Sequence, residues 1–325
     1  MRIVTLHDAA ADLAAIAERR GTWADWFDAY VVDTLREAGH VVEPLRLDHQ
    51  LDGVLAALRD SRPDLVFNLA LSALNDRGND VYSAVLLELA GIPYTGAGPR
   101  GLFLAGDKAL TKHVLRAHGI DVPAFQVVHR ADDAVWPGFG PVLVKALNRG
   151  GSEGLTPASL VRDRRALRRA VARIVDDYAC PAICEEYIEG RELSVGIVGN
   201  VRPRVLPPGE WDFGAGPPFV THRVKWDIPW ADGVGVRFAP ARLTPALGRR
   251  VMALCRRTFQ LLELRDYASI DLRITPEGRI VVLEANANPG LFPDSLRFKP
   301  LPFPRLLNGI VRAARARGAP RPLGV

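Results

Sequence analysis

DYASIDLRITPEGRIVVLEANANPGLFPDSL, residues 266–296, decides how the rest of the chain is read. In Ile270-Asp271-Leu272-Arg273-Ile274 apolar and polar residues alternate, the period of a strand with one buried face. Thr275-Pro276-Glu277-Gly278 is turn chemistry and Arg279 to Leu283 is a second apolar run, so the stretch predicts a hairpin followed by a Pro/Gly loop. A turn on Glu277-Gly278 sets Asp271 opposite Glu284 on one face, with side chains roughly 5 Å apart, and Asn286 shares that face. Two carboxylates in direct opposition repel unless something positive sits between them. Two acids and an amide oxygen are a hard, all-oxygen donor set, the kind that Mg²⁺ takes together with substrate phosphates. An exposed hairpin whose acids face water would carry the same residues, and the hairpin alone leaves both readings open.

The chain has 325 residues, enough for a large core and two or three subdomains. Hydrophobic residues at 48% and charged residues at 24% are ordinary for a soluble globular protein. No apolar run approaches a membrane span and the N-terminus has no signal-peptide build, which predicts a cytoplasmic protein with no membrane contact. Cys180, Cys184 and Cys255 lack CxxC spacing and read as buried, reduced thiols. A net charge of +5 and an isoelectric point near 9.3 raise nucleic acid as a partner. The arginines are scattered over helices, as in Arg162 to Arg169, with Asp163 interrupting the run and no aromatic platform interleaved. A solvated helix face is therefore expected, and no nucleic acid. Only five of the 42 basic residues are lysines. Where lysine survives such a bias, a compact ammonium is needed rather than a guanidinium fork.

In chain order, Met1–Leu6, His40–Leu47 and Asp64–Leu69 read as strands, alternating with helices that include 54–59 and 79–90. That alternation implies a parallel sheet. Gly91 to Pro99 is dense in turn formers and marks a domain boundary. Beyond it come a helix over 107–118, strands at 125–128 and 141–146, a Gly-rich turn at 148–154, an Arg-rich helix, and strands at 183–188 and 192–198. Residues 206–240, full of Pro, Gly and Trp, read as a long loop, and 244–262 as a helix. Lys145 ends an otherwise apolar strand, and the following Gly-rich turn could offer backbone N–H groups to a phosphate. A lysine reaching water from a strand end would look the same.

Together these segments resemble the ATP-grasp superfamily, and within it the D-alanine–D-alanine ligase-like enzymes, from about residue 64 to about 298. The resemblance rests on Gly91-Ile92-Pro93-Tyr94-Thr95-Gly96, Asp107-Lys108-Ala109-Leu110-Thr111-Lys112, Val144-Lys145 with Gly150 to Gly154, Glu185 to Glu192, and Asp271, Glu284-Ala285-Asn286 and Asn288-Pro289-Gly290. It implies an α/β (α+β) ATP-grasp fold. Residues 1–98 would form an N-terminal parallel-sheet domain, 99–184 and 185–325 two α+β subdomains clasping ATP, and 206–240, with Trp211, Phe213, Phe219, Trp226 and Trp230, a lid. Lys108 and Lys145 would hold the nucleotide phosphates and Gly150, Gly151 and Ser152 would cover them. Glu185 with the backbones of Glu186 and Ile188 would form the adenine hinge, and Glu192 would take the ribose. Asp271, Glu284 and Asn286 would bind two Mg²⁺ ions. Lys225 would sit near the γ-phosphate, and Gly290, Ser295 and Leu296 around the acceptor's carboxylate. Small-molecule carboxylate and amine substrates and a homodimer follow from the same resemblance. So does the chemistry: ATP converts a carboxylate to an acylphosphate, and an amine displaces phosphate to form an amide.

The departures from the family pattern cluster on one substrate. Leu6-His7-Asp8-Ala9-Ala10 lacks the family's Gly-rich segment with Ser and Glu. Ala70-Leu71 stands where a His-Gly pair is expected, and Gly78-Asn79-Asp80-Val81 keeps part of an acidic motif, leaving Asp80 as a substrate candidate. The loop serine falls on Gly151 and the lid tyrosine on Trp226, a second substrate candidate. The arginine two residues before the first metal ligand is Ser269; Arg273, on the same strand face as Asp271, is the candidate to replace it. The expectation is a ligase whose carboxylate donor is not D-alanine, acting on amino-acid or peptide-like substrates in specialised metabolism. A genuine D-alanine–D-alanine ligase, or an ATP-grasp enzyme that phosphorylates a carboxylate or enol without forming an amide, is the alternative.

Overall fold

The computed structural model describes residues 1–8, 10–17, 23–48, 50–70, 80–291 and 301–319. β1 (Arg2–His7), β2 (Val41–Arg46) and β3 (Leu65–Asn68) form a parallel sheet in the order β2-β1-β3. Around it lie α1 (Leu13–Ala17), α2 (Trp23–Glu37), α3 (Leu51–Ser61) and α4 (Asp80–Leu89). β1 is buried on both faces, as parallel strands are. Ile3, Leu65 and Phe67 pack towards α2, whereas Val4, Leu6 and Val66 pack towards α3 and α4. α5 (Pro99–Gly106) and α6 (Lys108–Ala117) follow. α6 starts where it does because Asp107 accepts the Ala109 and Leu110 N–H groups, satisfying two orphan donors of the first turn.

A second, antiparallel sheet contains β4 (Phe125–Val128), β5 (Val142–Ala146), β6 (Leu160–Val161) and β7 (Ala182–Glu186), ordered β4-β7-β5-β6. α7 (Arg164–Tyr178) covers it with Leu167, Ala170, Val171 and Ile174 and leaves Arg164, Arg165, Arg168 and Arg169 in solvent. The Arg-rich segment is the solvated face its sequence predicts. Cys180, Cys184 and Cys255 are buried and unbridged.

The third sheet takes in β8 (Arg191–Val198), β9 (Arg204–Val205), β10 (Gly209–Asp212), β11 (Arg237–Pro240), β12 (Tyr267–Ile274) and β13 (Ile280–Asn286). Its order is β11-β10-β8-β12-β13, with β9 on β8. Between β10 and β11 lie α8 (His222–Trp226) and α9 (Ile228–Gly233), and α10 (Pro245–Leu261) precedes β12. Residues 206–240 are thus a hairpin carrying two short helices, not the long loop expected. The elements are too short to show a periodicity, and contacts that the sequence cannot display hold them, such as Trp211 against Phe238 at 4.7 Å. α11 (Phe303–Arg317) folds back onto α2, β3 and β8.

Strand alternation places the site. One face of the third sheet, with Leu193, Val195, Ile270, Leu272 and Val282, packs in a core with Val251, Cys255 and Phe259 of α10 and with Leu102 and Leu115 of α5 and α6. The opposite face carries Glu192, Ser194, Asp271, Arg273, Glu284 and Asn286. Asp271 pairs with Glu284, as the sequence predicts, but Leu272 pairs with Val282 and Ile274 with Ile280. The turn is one residue tighter than expected, and Leu283 is inserted as a bulge that restores the register at the acids.

Candidate active site

Between the second and third sheets lies a cleft, with Leu143, Leu155, Tyr187, Phe219 and Leu283 supplying apolar walls. Thirteen of the side chains or loop residues predicted from sequence line it: Lys108, Lys145, Gly151, Ser152, Glu185, Glu186, Ile188, Glu192, Lys225, Asp271, Arg273, Glu284 and Asn286. Residues 120 and more positions apart in sequence therefore meet in one place.

Lys108 at the start of α6 donates to the Arg149 carbonyl at 2.6 Å and stands 3.9 Å from Glu284 Oε1. One turn on, Lys112 Nζ lies 2.7 Å from Glu185 Oε1 and donates to the Leu283 carbonyl at 2.9 Å. Lys145 on β5 meets the other oxygen of Glu185 at 2.8 Å. Lys225 on α8 is the fourth cation acting on Glu284. Four of the chain's five lysines thus converge here, and the fifth, Lys299, lies outside the described residues.

Burial by itself would raise the Glu185 carboxyl, but Lys112 and Lys145 outweigh it and hold the group down to about 2. The same contest ends the same way at Glu284, where burial is outweighed by Lys108, Lys145, Lys225 and Lys112. Both oxygens of Glu185 are thus taken up by ammonium groups, Oε1 by Lys112 and Oε2 by Lys145.

On the third sheet, Asp271 accepts from the Ser194 hydroxyl and, at 2.9 Å, from the Asn286 amide. Among the described residues no group of three or more His, Cys, Asp or Glu could hold a metal by itself. Asp271, Glu284 and Asn286 are an incomplete, all-oxygen set. That fits Mg²⁺, which is held by one or two carboxylates plus substrate phosphates, and fits poorly a metal that needs a full protein cage.

The Gly-rich turn lies over the cleft with Gly151, Ser152 and Gly154 all at positive φ. Glycine suits position 154, whose φ of +70 is a conformation that side chains rarely adopt. Arg173 of α7 fixes the base of the turn through Gly154 O at 3.1 Å, Ser159 Oγ at 2.8 Å and Thr156 Oγ1 at 2.7 Å. The 206–240 segment closes on the turn: Trp226 Nε1 donates to Gly151 O at 3.0 Å and His222 N to Leu155 O at 3.1 Å.

Several predicted residues stand elsewhere or do something else. Arg273 lines the cleft, held by partners that the sequence does not show. Its Nε and Nη2 go to Glu192 Oε2 (3.1 and 2.6 Å), its Nη1 to the Ile188 carbonyl and its Nη2 also to the Pro218 carbonyl. The guanidinium packs 4.7 Å from the Tyr187 ring centre. These bonds tie the hinge to the 206–240 segment. Ser269 is fully buried, and its Oγ has no hydrogen-bond partner among the described residues. Gly150, Gly290, Trp226 and Asp80 do not line the cleft, and Ser295 and Leu296 lie outside the described residues.

Asp80 opens α4. Burial, with a smaller push from the charge of Asp8, lifts its carboxyl from 3.8 to about 7. Between about pH 4 and 7 the folded protein therefore holds a proton that the unfolded chain has released, and stability falls as pH rises through that window. Asp80→Asn is expected to stabilise the protein at pH 8 by about 1 to 2 kcal/mol, after discounting for partial exposure, and to make no difference below pH 4. Urea midpoints at the two pH values check this.

Three polar residues escaped the sequence reading. Lys112 sits one helical turn from Lys108, and the scarcity of lysine could have found it. Ser194 is the cross-strand partner of Asp271. His7, fully buried at the end of β1, stands with Nδ1 2.6 Å from Asp28 Oδ2 and Nε2 2.8 Å from Thr5 Oγ1, a contact that no local pattern announces.

Two sheets clasping a cleft with a Gly-rich turn, convergent lysines and an acidic strand pair define the ATP-grasp class. The chain belongs to the D-alanine–D-alanine ligase family: the family model described as "D-ala D-ala ligase C-terminus" matches residues 114–311. A D-alanine–D-alanine ligase of Desulforudis audaxviator is 31% identical over 300 residues, covering 88% of this chain and 92% of that one. An uncharacterised protein, y4sG of Sinorhizobium fredii, is 33% identical over 302 residues, covering 88% and 87%. The D-alanine–D-alanine ligase of Bacillus anthracis, solved with ATP, has the same fold at a TM-score of 0.75 and 20% identity over 98% of each chain. No helix among the described residues is long and apolar enough to cross a membrane.

Proposed function

We propose that the chain is an ATP-dependent, ADP-forming carboxylate–amine ligase whose donor is an amino acid or peptide-like acid other than D-alanine. The convergence of four lysines on Glu185 and Glu284 carries the reading, because so much positive charge around a half-built oxygen site suits a polyphosphate with divalent metal. Glu185 and Glu186 both line the cleft. The Glu186 N–H is already given to Ala124 O at 2.8 Å, so the hinge group Glu186 has to offer is its carbonyl, an acceptor that suits the exocyclic amine of adenine. Lys108, Lys145 and Lys225 orient the phosphates and stabilise charge on the group in transfer. Mg²⁺ at Asp271, Glu284 and Asn286 would neutralise charge on the phosphate oxygens. The 206–240 segment, fastened to the Gly-rich turn and by Arg273, keeps water from the acylphosphate.

The donor assignment rests on Gly151, Trp226 and Ser269, where the family's substrate-binding serine, tyrosine and arginine are replaced. The test is an ADP-release screen over amino acids and dipeptides, with mass spectrometry of products. D-alanine alone should support less than roughly a tenth of the ADP release seen with the best pair. Brisk D-alanyl-D-alanine formation would make this a genuine D-alanine–D-alanine ligase, like the relatives that carry that name. ADP without an amide product would favour a carboxylate or enol kinase.

A further inference from the structure

Resting on the nucleotide-site reading above, we propose that Lys112 is a positioning residue: it neutralises Glu185 so that the charge of Lys145 is left for the phosphates of ATP. Lys112 is 1% exposed and touches no position where a phosphate could sit, because its ammonium is held between Glu185 Oε1 at 2.7 Å and the Leu283 carbonyl at 2.9 Å. Glu185 has two cations within 3 Å, Lys112 and Lys145, yet only one negative charge. With Lys112 in place, the triad carries one net positive charge, and Lys145 is the member that lines the cleft. Without Lys112, Glu185 and Lys145 cancel as an isolated pair, and the field at the phosphate position loses a full charge in a low-dielectric setting.

The second bond of Lys112 has its own consequence. Leu283 is the bulged residue of β13, and its carbonyl is turned to an ammonium from α6 instead of to a continuous strand ladder. The bulge brings Glu284 opposite Asp271. Lys112 therefore ties the acid of the base hinge on the second sheet to the irregularity that sets the metal-binding face on the third.

The experiment measures MgATP binding by isothermal titration calorimetry for wild type, Lys112→Met, Glu185→Gln and the double variant, with thermal unfolding as a check on folding. Lys112→Met leaves the Glu185 charge facing Lys145 alone and should weaken MgATP binding about tenfold or more. Adding Glu185→Gln to Lys112→Met restores the wild-type net charge of the triad, so the double variant should bind MgATP within about threefold of wild type. A side chain needed only for packing would leave the double variant as weak as Lys112→Met, and that result overturns the inference. So does Lys112→Met binding MgATP within twofold of wild type. If Lys112→Met alone does not fold, the double variant decides, a tenfold loss there relative to wild type refuting the charge-balance role. Failure of the wild type itself to bind MgATP would refute the nucleotide site instead.

Discussion

Glu284→Gln should lower ADP release by about a thousandfold or more while the protein remains folded. Glu284 is the acid on which Lys108, Lys145, Lys225 and Lys112 act together, and it faces Asp271 across the β12–β13 pair. The amide matches the carboxylate in size, so the substitution isolates its charge. Without that charge, four ammonium groups are left facing each other with Glu185 and Asp271 as the remaining acids nearby, and the metal-binding face keeps a single carboxylate. Nucleotide affinity in the absence of metal should rise or hold, because the lysines lose a competitor for the phosphates. Affinity for Mg²⁺ should fall, and turnover with it. The checks are steady-state ADP release, ATP binding with and without Mg²⁺, and a urea midpoint. Turnover within tenfold of wild type would mean that the metal-binding face lies elsewhere.

How much of this could be read in advance differs along the chain. The β12–β13 pair was legible because strand periodicity, turn residues and two opposed acids all lie within thirty positions. Even so, the pairing of Asp271 with Glu284 depends on a bulge at Leu283 that local sequence does not announce. The lysines were legible through their rarity. The 206–240 segment was not, since its short helices and its hairpin are held by Trp211, Phe238 and Phe219 against parts of the fold remote in sequence. Its contacts with Gly151 and Leu155 belong to the same class. The partners of Arg273 were hidden for a related reason: strand alternation gives its face but not its bonds, which go to residues 188, 192 and 218. Face follows from period; commitment of donors follows from tertiary packing.

Arg273→Met tests that distinction and should be among the most damaging substitutions to stability. The guanidinium is 2% exposed and Glu192 is 8% exposed, so truncation leaves a buried carboxylate without its cation, takes the Arg273 donor from the Ile188 carbonyl and leaves the Pro218 carbonyl to Tyr187 alone. Breaking a buried pair in this way costs about 3 to 5 kcal/mol, where an exposed pair would cost less than about 1. Adding Glu192→Gln should recover part of the loss, because the stranded charge, not the lost volume, is the larger penalty. Arg273→Lys should recover little, since a single ammonium cannot serve Glu192 and two carbonyls in the fork geometry. The Pro218 carbonyl also accepts from the Tyr187 hydroxyl at 2.9 Å, so the 206–240 segment loses one of two bonds at that point and should be cleaved faster by protease, with ATP and Mg²⁺ present as well as without. A guanidinium acting on the reacting centre predicts the opposite pattern: turnover collapses while the urea midpoint and the protease pattern stay at wild-type values. Measuring both on one preparation separates the two roles, and the bond pattern around Arg273 supports the first.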